Sequence, residues 1–131
     1  TIEVLIYDGD GQFERLQTIS TLPEDFSEFN GTAAIRLSAD GRFLYGSNRG
    51  HNSIAVYKVA GDGTLELVEF VPTNGKNPRD FNITPDQQYL IAAHQDSDNA
   101  TVFKRDPETG KLTELSHDFF VPEGVCVAFT H

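Results

Sequence analysis

Hydrophobic and polar positions alternate along this chain in short runs with a period of two. Three such runs follow one another between residues 33 and 59: 33–38, 42–47 and 53–59. The first break is Ala39-Asp40-Gly41, a tight turn in which glycine supplies the positive φ that other residues resist. The second is a polar loop from Asn48 to Asn52. Ile35 and Leu37 alternate with Arg36, and Phe43 and Tyr45 alternate with Leu44, so both faces of these runs are partly apolar. That pattern suits a sheet packed between two neighbours better than one facing water.

The unit recurs 46 residues downstream. Ile35 matches Phe81, Leu37 matches Ile83, and Ser38-Ala39-Asp40 matches Thr84-Pro85-Asp86. Phe43-Leu44-Tyr45 matches Tyr89-Leu90-Ile91, and Val56-Tyr57-Lys58 matches Val102-Phe103-Lys104. A third copy begins with Val127 and Phe129, while Leu5-Ile6-Tyr7 and Asp10-Gly11 correspond to the end of a unit. Four short strands in a repeat of about 40–50 residues are the signature of a β-propeller blade. Helical repeats of similar length need amphipathic helices of about 10 residues or more, and no such stretch is present. The expectation is an all-β propeller with two complete four-stranded blades, 33–71 and 79–119. The end of a blade occupies 1–20, and the inner strand of a last blade occupies 124–130. Propellers usually have at least four blades, so the chain reads as part of a larger ring. The alternative is a small protein that completes its ring by oligomerising. Standing alone, the chain would leave blade edges open, so the expectation is that it pairs with a second copy or is only a fragment of a longer protein.

In this topology the loop before each inner strand and the loop between strands two and three emerge on one face. That face collects residues 26–32, 48–52, 73–80 and 94–99, whereas the opposite face collects tight turns around Asp40, Asp62, Asp86 and Pro107. Varied polar loops on one side mark where a ligand is expected. Arg79 opens an inner strand between Pro78 and Asp80, within reach of the channel mouth. A guanidinium there can hold a phosphate or carboxylate bidentately; the alternative is a salt bridge with Asp80 or with a neighbouring blade's acid. Arg49 and His51 lie on a rim loop that reads either as part of the site or as a structural turn. His94 occupies the position matching Asn48, which suggests a blade-to-blade hydrogen-bonding site. A neutral histidine there can also act as a base.

Composition narrows the partners. The chain carries 20 acidic against 10 basic side chains, a net charge of −10, and has no basic run. This disfavours nucleic acid but leaves room for a small anion held by a few local arginines. The single Cys126 lies in the apolar run 125–129 and is expected to be a buried, inert thiol. No apolar segment reaches membrane-spanning length, and no secretory leader pattern is present. The Asn-X-Ser/Thr triplets at Asn30, Asn82 and Asn99 read as chance. No compact set of metal ligands, phosphate loop or dinucleotide fingerprint appears, so neither metal nor cofactor is expected.

The stretch SADGRFLYGSNRGHNSIAVYKV, the later NPRDFNITPDQQYLIAAHQDSDNATVFKRDPETGKL and the closing PEGVCVAF together resemble the last part of the seven-bladed 6-phosphogluconolactonase propellers. These are related to the fungal carboxy-muconate lactonising enzymes. The resemblance implies a cytosolic, cofactor-free enzyme of the oxidative pentose phosphate route that hydrolyses 6-phospho-D-glucono-1,5-lactone to 6-phosphogluconate. It implies a pocket arginine at Arg79, while the histidine expected from earlier blades lies outside this chain. Arg79 and, from its place on the rim loop, His51 are the catalytic candidates. Arg49, Arg79, Asp80 and His94 are the candidates for binding a small anionic sugar lactone. The family's acid would fall on Ala34, where this sequence has a methyl group. That departure keeps a second reading open, a non-catalytic propeller that binds a sugar phosphate.

Overall fold

The computed structural model describes residues 1–130 as ten antiparallel strands, with no helix among them. The first two, β1 (Ile2–Tyr7) and β2 (Phe13–Ile19), form a two-stranded sheet. The next four, β3 (Gly31–Leu37), β4 (Phe43–Arg49), β5 (Ser53–Val59) and β6 (Leu65–Pro72), pair in chain order. The last four, β7 (Pro78–Ile83), β8 (Tyr89–His94), β9 (Asn99–Arg105) and β10 (Leu112–Phe120), do the same. These two meanders are the expected blades, and the chain is a partial propeller. Their inner strands start earlier than the apolar pattern suggested, because Gly31 and Thr32 already pair with Arg49 and Asn48. Prolines sit where a ladder tolerates them: Pro78 is the first residue of β7, and Pro72 the last residue of the outer strand β6.

The two-sided pattern decides how the sheets stack. On β5, Ile54 and Val56 join Phe43 and Tyr45 against Phe81, Ile83, Leu90 and Phe103 of the next blade. From the other face, Ala55 and Tyr57 pack on Ile2, Val4 and Ile19 of the preceding sheet. The core is therefore a pair of interfaces between sheets. Tyr45 is fully buried in the first of them, where its hydroxyl donates to the Gly110 carbonyl (2.8 Å) and accepts from Arg105 Nε (2.8 Å).

The tight turns share one device. Asp40 accepts the Ser38 hydroxyl at 2.6 Å and the Arg42 N–H at 3.1 Å. Asp86 accepts Thr84 (2.5 Å) and Gln88 (3.1 Å) in the same way. These bonds hold both carboxyls below the usual carboxylate range. Gln87 takes the place of Gly41 with φ 63°, and its Oε1 accepts the Ala39 N–H at 2.9 Å, which ties the two blades together.

One expectation is corrected, and that of an inner strand at 124–130 is neither met nor overturned among the described residues. Residues 124–130 form no ladder, although they lie beside β7: the Val127 N–H donates to Asp80 Oδ2 (2.8 Å), and Asn82 Nδ2 donates to the Val127 carbonyl (3.1 Å). An inner strand pairs with the next strand of its own blade, and no such strand follows among the described residues. Cys126 lies on this unladdered segment and is exposed rather than buried.

Candidate anion site

The β3–β4 ladder shifts register between Thr32 and Ile35. Ala34 and Arg36 turn towards the next blade, where Arg36 reaches Asp80 of the inner strand β7, while Thr32 borders the gap at the head of β3. Between the two strands lies a cleft of about 390 Å³, lined by these residues with Ala33, Arg49, Arg79, Asp80 and Val125. Three of the four charged groups are arginines. The cleft is thus locally cationic on a chain of net charge −10.

Asp80 has its hydrogen-bonding capacity committed to architecture. Oδ1 accepts Arg36 Nη2 at 2.8 Å, and Oδ2 accepts the Val127 N–H at 2.8 Å. Arg36 also donates from Nη1 to the Ile35 carbonyl (3.0 Å) and stands over the Phe81 ring at 5.9 Å. The buried Asp80 therefore joins the inner strands of the two blades to the segment beyond them. The alternative pairing of Arg79 with Asp80 does not occur. Among the described residues, neither Arg79 nor Arg49 forms an ion pair, and Arg79 is exposed to the cleft. Arg49 Nε is inaccessible to solvent and donates to nothing. Two guanidiniums sharing one cleft without an acid of their own are suited to an anionic guest, which their donors would hold by charge-assisted bonds.

His51 is not part of this lining. Its Nδ1 lies 2.6 Å from Ser53 Oγ, and its ring meets Phe26 and Phe70 edge-on at 4.8 and 6.1 Å. Ser53 Oγ accepts from Asn48 Nδ2 at 3.2 Å, which frees its proton for His51 Nδ1 and leaves the ring proton on Nε2. His51 thereby pins its loop against Phe26 of the 21–30 segment and Phe70 of β6.

His94 is also outside the cleft, fully buried at the end of β8. Its Nδ1 donates to the Asn99 carbonyl at 3.0 Å, and Nε2 has no partner. Gly75 covers the ring so closely that a Cβ there would stand 2.3 Å from it. The matching Asn48 is buried too, but it reaches out of its own blade, donating to the Thr21 carbonyl at 2.6 Å. The paired positions therefore share burial and loop anchoring. Only the first repeat makes the expected contact beyond its blade.

Burial lowers the His94 pKa below its ordinary value of 6.5, against the opposing effect of the Asn99 bond. The unfolded chain then binds the proton more tightly than the folded one. The contribution of His94 to stability is complete above about pH 6.5 and declines as pH falls towards the folded value. His117 has the opposite sign: its bond to Glu114 raises its pKa, but the group is exposed and its effect is screened. Urea midpoints of the full-length protein should therefore fall between pH 7.5 and 5.5, and His94→Asn should flatten that dependence. An unchanged pH slope in the variant would show that His94 is not its source.

Sequence reasoning brought Arg49, Arg79 and Asp80 to one place and missed Arg36. Arg36 is the one charged residue of β3, between Ile35 and Leu37, but its partner lies 44 residues away in the next blade and no spacing within the repeat names it.

The family model for lactonases of the seven-bladed β-propeller type matches residues 1–129. A protein of Lactococcus lactis subsp. cremoris is 57% identical over 129 residues, which cover 97% of this chain and 38% of that protein. The chain therefore spans well under half the length of such relatives. A crystal structure of a Lactobacillus plantarum protein superposes with a TM-score of 0.96 at 47% identity, over 98% of this chain and 38% of the other. The periplasmic gluconolactonase of Pseudomonas aeruginosa gives a TM-score of 0.88 at 35% identity, over 92% and 34%. A candidate 6-phosphogluconolactonase of Bacteroides fragilis gives 0.88 at 36%, over 98% and 35%.

Proposed function

The chain belongs to the seven-bladed β-propeller lactonases, and from that premise we propose that the intact protein hydrolyses 6-phospho-D-glucono-1,5-lactone to 6-phosphogluconate. The observation that carries this reading is the pair Arg49 and Arg79, open to one cleft and free of acidic partners among the described residues. In the reaction, water adds to the lactone carbonyl carbon and the carbonyl oxygen takes up negative charge. The ring C–O bond then breaks, and the departing oxygen receives a proton. Arginine donors aimed at the phosphate hold the substrate, and one aimed at the carbonyl oxygen stabilises the charge that develops there. Arg36, already engaged by Asp80, serves as scaffold and adds positive field. A phosphorylated sugar does not cross membranes unaided, which supports a cytosolic setting within sugar metabolism.

Calorimetric titration of the full-length protein with 6-phosphogluconate tests the clamp. Arg79→Ala should weaken binding at least tenfold, about 1.4 kcal/mol, with little change in thermal stability. Arg79→Lys should recover part of the loss, since it restores the charge without the planar fork. Equal affinity in all three proteins would remove Arg79 from the site.

Ala34 favours a second reading, a propeller that binds the sugar phosphate without turning it over, because a methyl group lines the cleft where the resemblance places an acid. A gain of lactone hydrolysis in Ala34→Glu, with binding unchanged, would decide for it.

A further inference from the structure

Gly31 stands at the head of β3, directly opposite Arg49 in the β3–β4 ladder. Its φ is not positive, and no turn requires a glycine there. Glycine within a strand normally weakens it, through backbone entropy and the missing side chain, so its presence at a paired position calls for a reason. The space beside it supplies one. A Cβ at Gly31 would meet Arg49 Nη2 at 3.1 Å, Cζ at 3.7 Å and Nε at 3.8 Å, and these are its three nearest neighbours. The guanidinium of Arg49 thus folds back across the ladder and lies against the bare backbone of its own cross-strand partner. This placement also accounts for an Nε that is closed to solvent and donates to nothing.

We propose that Gly31 is a positioning residue for the anion site: by lacking a side chain it provides the shelf that holds the Arg49 guanidinium in the cleft with Arg79. The inference rests on the anion-clamp reading above. It adds that the geometry of the clamp is set from the opposite strand rather than by a carboxylate. An acid would fix an arginine equally well, but it would also neutralise it. A glycine shelf restricts the side chain and leaves its charge for the ligand.

The test is a graded series in the full-length protein, titrated calorimetrically with 6-phosphogluconate alongside thermal melts. Gly31→Ala puts a methyl group against the flexible tip of Arg49, which can yield by a few tenths of an ångström, so a loss of two- to fivefold in affinity is expected. Gly31→Val fills the shelf, and its loss should approach that of Arg49→Ala. Valine suits a strand, so the melting temperature should hold or rise while affinity falls, an opposition that a purely structural glycine would not produce. In the Arg49→Ala background, Gly31→Val should have no further effect on affinity. If Arg49→Ala weakens binding and Gly31→Val does not, the shelf is refuted while the clamp stands. If Arg49→Ala itself leaves binding unchanged, the clamp fails and the shelf with it. Equal losses from Gly31→Val with and without Arg49 would also overturn the proposal, since the glycine would then act by another route.

Discussion

Gly110→Ala should destabilise the full-length protein by about 2–5 kcal/mol, as read from urea denaturation. Two costs add. Gly110 has φ 73°, and an L-residue held there loses roughly 1–2 kcal/mol. A Cβ would also stand 2.3 Å from Cδ1 of Phe43, deep in the interface between the blades. Overpacking of that kind costs about 1–3 kcal/mol, and the Gly110 backbone cannot retreat from the ring without disturbing its own carbonyl, which accepts the Tyr45 hydroxyl. Gly41 separates the two effects, since its φ of 71° is nearly the same while a Cβ there would meet nothing within 4 Å. Gly41→Ala should therefore show the backbone cost alone, about 1–2 kcal/mol. Equal losses at the two positions would mean that the Phe43 contact relaxes freely.

That contrast shows what was legible in the sequence. Both glycines close turns in the repeat, and the turn is visible from Asp40-Gly41 and from Pro107 with Gly110. What lies beside each turn depends on the neighbouring blade, 48 residues away for the Ala39–Gln87 bond and 65 for Tyr45–Gly110, and no local pattern carries it. The blades themselves were legible because each strand states its own two-sidedness: Phe43 and Tyr45 against Leu44, Ile54 and Val56 against Ala55 and Tyr57. The 46-residue offset then located the second copy. Val125, Val127 and Phe129 have strand periodicity, but a ladder also needs a partner strand, and none pairs with them among the described residues. The exposure of Cys126 depends on what lies against that segment, which the apolar character of its neighbours does not state. At the cleft, Arg79 was legible from its place at the head of an inner strand. The pairing of Arg36 with Asp80 spans 44 residues, and the shelf beneath Arg49 depends on ladder register. Neither follows from spacing along the chain.

Asp80 separates architecture from binding more sharply than any other residue of the cleft, because the two roles predict opposite signs. Asp80→Ala should cost about 1.5–3 kcal/mol of stability in the full-length protein, the range for hydrogen bonds to a charged group. The larger penalty of a broken buried ion pair does not apply, because the Arg36 side chain left behind is 38% exposed and regains hydration. The Val127 N–H loses its acceptor in the same step, so the segment beyond Gly124 should loosen and its amides exchange faster. Anion binding should move the other way. Deleting one negative charge from the cleft lining favours an anion there; for an assumed separation of about 8 Å and an effective dielectric of about 40–80, Coulomb's law gives about 0.5–1 kcal/mol, or two- to fivefold. Arg36 would also be released towards the cleft. Asp80→Asn should fall between, keeping an acceptor for Val127 while giving up the charge. Calorimetry with 6-phosphogluconate beside urea denaturation reads both quantities on one preparation. Lower stability with tighter binding would establish Asp80 as the tie between inner strands, and lower stability with a tenfold loss of affinity would return it to the ligand's own contacts.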